Sequence, residues 1–249
     1  SGTYVSWNWK ANGAGSANTA GSINSTVSVN TTSGFSIVKY TGTGSAGATV
    51  GHGLGVKPAM IIFKCLSVGG PSWVVYHQSK GATYTTYLNE SSAGGTSAEM
   101  LNNTEPTSSL ITLGNGTSSN SSGASTIAYC FAEKQGFSKF GSYVGNGNAD
   151  GTFCYTGFSP SFVIVKNISG SESWHLWDNK RSPFNMRELV LYPNGASVEE
   201  DVGADIDMLS NGFKLRSAST SVNGNGNSFI YMAFGQSIVG SNNVPATAR

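Results

Sequence analysis

Five carboxylates fall within nine residues of this 249-residue chain, in Glu199-Glu200-Asp201 and Asp205-Ile206-Asp207. Hard cations such as Ca2+ take carboxylate and carbonyl oxygens, so Asp201, Asp205 and Asp207 are the candidate metal ligands. Their spacing is not that of an EF-hand loop, and a solvated acidic loop is the competing reading. The three histidines, His52, His77 and His175, offer no i, i+4 pair for a metal-binding helix. Gly51-x-Gly53-x-Gly55 lacks the Gly-Lys-Ser/Thr of a phosphate loop and reads as a tight turn before Pro58. No Gly-x-Ser-x-Gly nucleophile elbow occurs. Cys65, Cys130 and Cys154 are too few and too unevenly spaced for a disulfide framework or a zinc site, and read as buried free thiols. Apart from the calcium alternative, no cofactor is expected.

Aromatic residues carry the second kind of chemistry, stacking. Trp73 and Tyr76 recur as Trp174 and Trp177. In a strand, residues 73, 75 and 77 face one way and 74 and 76 the other. One face belongs to a core. The other either presents Tyr76 and Trp177 outward, as flat surfaces for sugar rings or a protein partner, or is itself buried between sheets or subunits. Trp7 and Trp9 share a face near the N-terminus and read as packing between units or subunits.

The elements that position these groups are strands. Charged residues make up 11% of the chain, against about 25% in an average globular domain. Fourteen basic residues balance thirteen acidic ones without forming a cationic stripe, so nucleic acid is not an expected partner. No apolar run approaches the roughly 18 residues of a membrane-spanning helix, and no membrane insertion is expected. Short β-branched and aromatic runs lie between Gly/Ser/Asn clusters, the pattern of strands and turns. The runs are Thr3–Trp9, Phe35–Tyr40, Ala59–Leu66, Trp73–His77, Thr85–Asn89, Leu110–Leu113 and Thr126–Glu133. A second series is Phe137–Tyr143, Phe153–Tyr155, Phe162–Lys166, Trp174–Trp177, Glu188–Leu191, Gly212–Leu215 and Ser228–Phe234. Val198–Leu209 reads as a short helical turn.

The second series repeats the first. Gly34-Phe-Ser36 returns as Gly136-Phe-Ser138, Pro58-Ala-Met-Ile-Ile-Phe-Lys64 as Pro160-Ser-Phe-Val-Ile-Val-Lys166, and Ile127-Ala-Tyr-Cys-Phe131 as Ile230-Tyr-Met-Ala-Phe234. A constant offset of about 101 to 103 residues predicts two tandem antiparallel β-sandwich units, jelly-roll-like and all-β. Their bounds are 34–134 and 135–237, after an N-terminal orphan strand and linker at 1–33 and before a tail at 238–249. Tyr4-Val-Ser-Trp-Asn-Trp9 echoes the last strand of each unit, which suggests a C-terminal piece of a longer protein.

Several idiosyncratic segments carry a resemblance. Tyr4-Val-Ser-Trp-Asn-Trp-Lys10, Gly51-His-Gly-Leu-Gly-Val-Lys-Pro58, Val75-Tyr-His-Gln-Ser-Lys-Gly81, Gly141-Ser-Tyr-Val-Gly-Asn-Gly147, Leu209-Ser-Asn-Gly-Phe-Lys-Leu215 and Val244-Pro-Ala-Thr-Ala-Arg249 are among them. The chain resembles an uncharacterised domain found at the C-terminal ends of bacteriophage tail-fibre and other virion structural proteins, often of marine phages. The resemblance implies a virion location on a tail or surface appendage, a homo-oligomer of trimeric type, and other virion proteins as partners. It implies no catalytic residue.

Three functions are weighed on this basis: host attachment through surface glycans, a purely architectural spacer or cap, and a polysaccharide hydrolase. Paired carboxylates about 5–10 Å apart would serve the last, and the scarcity of acids in the first unit makes it the weakest. Near-zero net charge leaves little long-range steering, so attachment would rest on short-range polar and aromatic contacts to neutral glycans. The expected binding residues are Tyr76, Trp177, Phe184 and Tyr192. They lie around the loops that differ most between repeats: Ser91–Asn103, Asn115–Ser125, Asn179–Arg187 and Asn194–Asp207.

Overall fold

The structure is a computed structural model that describes residues 4–235. It is all-β and antiparallel, as its alternating runs predict. The tail at 238–249, with its Val244–Arg249 motif, lies outside the described residues. The first half contains β1 (Ser16–Asn18), β2 (Ser25–Asn30), β3 (Phe35–Thr41), β4 (Thr49–Gly51), β5 (Met60–Cys65), β6 (Val74–His77), β7 (Tyr84–Tyr87), β8 (Gly95–Thr96), β9 (Leu110–Thr112), α1 (Thr117–Asn120) and β10 (Ser125–Phe131). The second contains β11 (Ser138–Val144), β12 (Phe153–Tyr155), β13 (Pro160–Asn167), β14 (His175–Asp178), β15 (Arg187–Val190), β16 (Glu200–Leu209), β17 (Gly212–Leu215), α2 (Thr220–Asn223) and β18 (Ser228–Gly235).

An eight-stranded sheet runs β1-β2-β3-β10-β5-β6-β7-β8, and a four-stranded sheet runs β11-β18-β13-β14. The central order β3-β10-β5-β6 of the first is thus the order of the second. Within the N-terminal segment 1–33, residues 16–30 add β1 and β2 to the first sheet and send Ile23 and Val27 into its core. A second four-stranded sheet, β12-β17-β16-β15, and a two-stranded one, β4-β9, complete the fold.

Each large sheet is apolar on both faces. Val38, Tyr40, Ile61, Phe63, Tyr76 and Cys130 point into one core beneath β4-β9. Val163, Val165, Trp177, Phe229 and Tyr231 point into another, closed by Ile206, Met208, Phe213 and Leu215 from the opposing sheet. The alternate residues meet one another: Phe35, Met60, Ile62, Val75 and Phe131 pack against Phe140, Phe162, Ile164, Trp174, Leu176, Met232 and Phe234. The two large sheets are therefore stacked face to face, and the period of two along each strand serves two cores at once.

Matching hydrogen bonds fix the turn regions of both halves. The Tyr40 hydroxyl donates to the Ser119 carbonyl and the Tyr143 hydroxyl to the Val222 carbonyl, both at 2.5 Å. Buried Asn120 accepts from Thr43 N at 2.8 Å and donates to Gly114 O at 2.7 Å. Buried Asn223 likewise accepts from Asn146 N at 3.1 Å and donates to Ser217 O at 2.9 Å. Gly34 and Gly136 take positive φ (71° and 74°) at the turns that launch β3 and β11.

Two expectations need correction. Residues 4–10 form no strand; the run lies across the open end of the layer between the large sheets, where Trp7, Trp9 and Ala11 pack. Aromatic content imitated a strand, but edge-on ring contacts hold the segment instead. Val198–Leu209 is not helical, because it contributes β16. Ile206 and Met208 alternate inward there, and the flanking Asp205 and Asp207 disguise a period of two.

Candidate functional site

The N-terminal run borders a concave feature of the molecule. Trp9 meets Phe131, Phe162 and Phe234 edge-on, with ring centroids 5.9, 5.4 and 5.4 Å away. Trp7 meets Phe162 at 5.7 Å. Beside these two indoles the large sheets flank a cleft of about 450 Å³ that opens to solvent on one side. Met60, Ile62 and Phe131 line it from the first sheet, and Phe162, Ile164, Leu176 and Met232 from the second. Tyr192, Pro193, Gly195 and Ser197 form one rim. The hydroxyl of Tyr192 donates to Glu200 Oε2 at 3.0 Å, and its ring stands edge-on to His175 at 5.0 Å.

A polar clasp closes the neighbouring edge. Asp178 Oδ2 accepts from Arg181 Nε at 2.7 Å and from the Trp7 indole at 3.3 Å. Asp178 Oδ1 accepts the backbone N–H groups of Lys180 and Arg181, both at 2.9 Å. Arg181 reaches on to Glu199 at 2.7 Å and lies 5.8 Å from the Trp7 ring centroid. Burial acts to raise the Asp178 pKa, but these donors and the guanidinium outweigh it and hold the carboxyl below its usual range. Both Asp178 oxygens are engaged, which makes the clasp a fastening for the N-terminal run rather than a reactive pair.

The predicted binding aromatics do not converge. Tyr76 and Trp177 are both 0% exposed, so their outward presentation is corrected: each faces the inner core of its own half, while the opposite face meets the sister sheet. The Tyr76 hydroxyl bonds Glu105 at 2.7 Å, which also pairs with Lys57 at 2.7 Å. Phe184 is 80% exposed on the β14–β15 loop. Tyr192 alone borders the cleft.

The candidate metal ligands separate as well. Asp201 is exposed and accepts from Gly203 N at 3.0 Å in the bulge of β16. Asp205 is buried, and burial pushes its carboxyl up to about 6 despite a hydrogen bond from Ser217. Asp207 faces Arg216 at 3.4 Å. Among the described residues, no three His, Cys, Asp or Glu side chains converge as a metal site, so these aspartates do not form the calcium cluster that the density of acids raised as an alternative.

The histidines are structural. His52 accepts from Leu54 N and donates to Thr107 O, at 3.2 and 3.3 Å. Gly53 and Gly55 have positive φ, as a tight turn requires. The three cysteines are free and buried, and burial pushes the thiols of Cys130 and Cys154 up, away from the reactive thiolate. No helix of the described residues is long and apolar enough to cross a membrane.

Sequence reasoning passed over one exposed pair. Phe153 and Tyr155 lie two residues apart on β12, an edge strand, and are 44% and 65% exposed. Lys214 opposite Phe153 pairs with Asp150 at 2.5 Å. Their alternation with buried Cys154 was the available signal. No curated protein and no solved structure matches the chain. A family model described as a domain of unknown function, DUF7483, matches residues 1–237, and the chain belongs to that family.

Proposed function

We propose that this domain is a non-catalytic structural module of a bacteriophage virion appendage, a duplicated β unit working in a homo-oligomer of trimeric type. One observation carries the structural part: both faces of both large sheets are apolar and packed, so Tyr76, Trp177 and the three histidines are committed to packing. The virion setting is supported by the resemblance of the sequence motifs to phage fibre ends. Gold-labelled antibody against the recombinant chain should decorate a tail or surface appendage of purified virions. Labelling of no part of the particle refutes the reading, and a monomeric mass by light scattering refutes the oligomer.

A second reading, attachment to host glycans, is favoured by Phe153 and Tyr155, whose neighbouring exposed rings form the kind of surface on which sugars stack. A glycan array probed with wild type and Tyr155→Ala tests it. Retained glycans lost in the variant support attachment, and an array without signal leaves the spacer or cap.

A further inference from the structure

We propose that the cleft between the two large sheets binds one uncharged, apolar small molecule. Protein interiors ordinarily leave few spaces larger than a water, because side chains interdigitate. Here a cleft of about 450 Å³, open to solvent along one side, remains beside Trp7 and Trp9. A pocket of that size takes a ligand on the order of twenty non-hydrogen atoms.

The walls decide the ligand's chemistry. Among the described residues, no charged side chain lines the cleft. An ionised group inside would shed its hydration and find no counter-charge, which excludes charged bodies. Met60 and Met232 face each other's sheets and can adjust to irregular shapes, while the edges of Phe131 and Phe162 suit either aliphatic or aromatic groups.

The rim decides the head group. The Tyr192 hydroxyl spends its proton on Glu200, at 3.0 Å, so its oxygen is left to accept. Glu200 itself is acidic and repels a carboxylate head. The ligand therefore ends in a neutral donor such as a hydroxyl, or has no head at all. Both the rim at residues 192–197 and the indoles of residues 7 and 9 lie outside the large sheets, so entry needs no separation of the sheets. The inference stands independently of any place on a virion.

The test uses the full chain and the uncharged fluorophore 1-N-phenylnaphthylamine, whose emission rises in apolar surroundings. Saturable binding with one site per chain is expected, with quenching of the indole fluorescence contributed by Trp7 and Trp9. Dodecanol should displace the probe and dodecanoate at pH 8 should not. Leu191 and Leu88 also line the cleft; Leu191→Trp narrows it and should weaken probe binding by roughly tenfold or more, and Leu88→Trp does the same from the first half should the former fail to fold. No saturable binding, or binding untouched by both variants, overturns the proposal. So does probe affinity that falls as protein concentration rises while light scattering reports association, because a second copy would then be the cleft's occupant.

Discussion

The imidazole Nε2–H of His77 donates to the backbone carbonyl of Tyr231 across 3.1 Å, joining β6 of the first large sheet to β18 of the second. Ser79 N donates to Nδ1 of the same ring at 3.2 Å, so the neutral tautomer with its proton on Nε2 satisfies both bonds. Gln78 adds a second tie, from its side-chain amide to Phe140 O at 2.8 Å. Trp174 Nε1 adds a third, to Tyr87 O at 2.8 Å, and Lys166 Nζ a fourth, to Ser91 O at 2.7 Å. The stacked sheets are thus stitched at their perimeter by polar groups around an apolar layer.

Acid should loosen this arrangement. Burial pushes His77 and His175 down to about 4, whereas an unfolded histidine titrates near 6.5. Between those values the unfolded chain holds protons that the native state refuses, so stability present above pH 6.5 is lost as the pH falls to 4. The loss approaches roughly 3 kcal/mol per histidine. Asp205, raised to about 6 by burial, works in the opposite direction between pH 6 and 4 and offsets one of the two. Urea midpoints should fall from pH 7 to pH 4.5, and His77→Gln, which keeps a donor for Tyr231, should flatten the slope. Equal slopes for variant and wild type would refute the assignment.

The two matched tyrosines should behave as equals. Tyr40→Phe and Tyr143→Phe each leave a buried carbonyl, of Ser119 or Val222, without its 2.5 Å donor. Each should cost about 1–3 kcal/mol in chemical denaturation. The sites share no partner, so the double variant should sum within about 0.5 kcal/mol. A large departure from additivity would mean that the halves are coupled through these turns.

Burial separates two aromatics that sequence alone treats alike. Trp177→Ala should destabilise by about 3–5 kcal/mol through the cavity it leaves. Tyr155→Ala, on an exposed edge strand, should stay within about 0.5 kcal/mol. Thermal melts of the two variants check both values, and a tolerant Trp177→Ala would contradict the packed core.

Calcium should have little effect on stability. Asp207 faces Arg216, Asp205 is buried beside Ser217 and Asp201 bonds the backbone of its own bulge. Millimolar Ca2+ or EDTA should therefore move the melting temperature by less than about 1 °C. A rise of several degrees with Ca2+ would show that the aspartates converge after all.

Most strands were legible. Ala59–Leu66 and Thr126–Glu133 announce β5 and β10 by β-branched and aromatic residues between turn formers, and their counterparts β13 and β18 announce themselves in the same way. Less legible was Val198–Leu209, where Asp205 and Asp207 on either side of Ile206 hide the alternation of β16. Thr3–Trp9 misled in the reverse sense, since a strand needs a hydrogen-bonded neighbour and aromatic residues alone do not supply one.

The sequence by itself determined where the chain is extended, where it turns, and that Trp73 with Val75 and Trp174 with Leu176 occupy the face opposite Tyr76 and Trp177. Only the tertiary structure decided what each face meets. A strand buried on one side by its own sandwich and on the other by a sister sheet carries the same apolar pattern as one whose second face greets a ligand. The pattern records which side chains avoid water; the inner core of each half takes that water away from Tyr76 and Trp177, and the stacking of the two large sheets takes it from Val75, Trp174 and Leu176 while leaving a cleft beside Trp9.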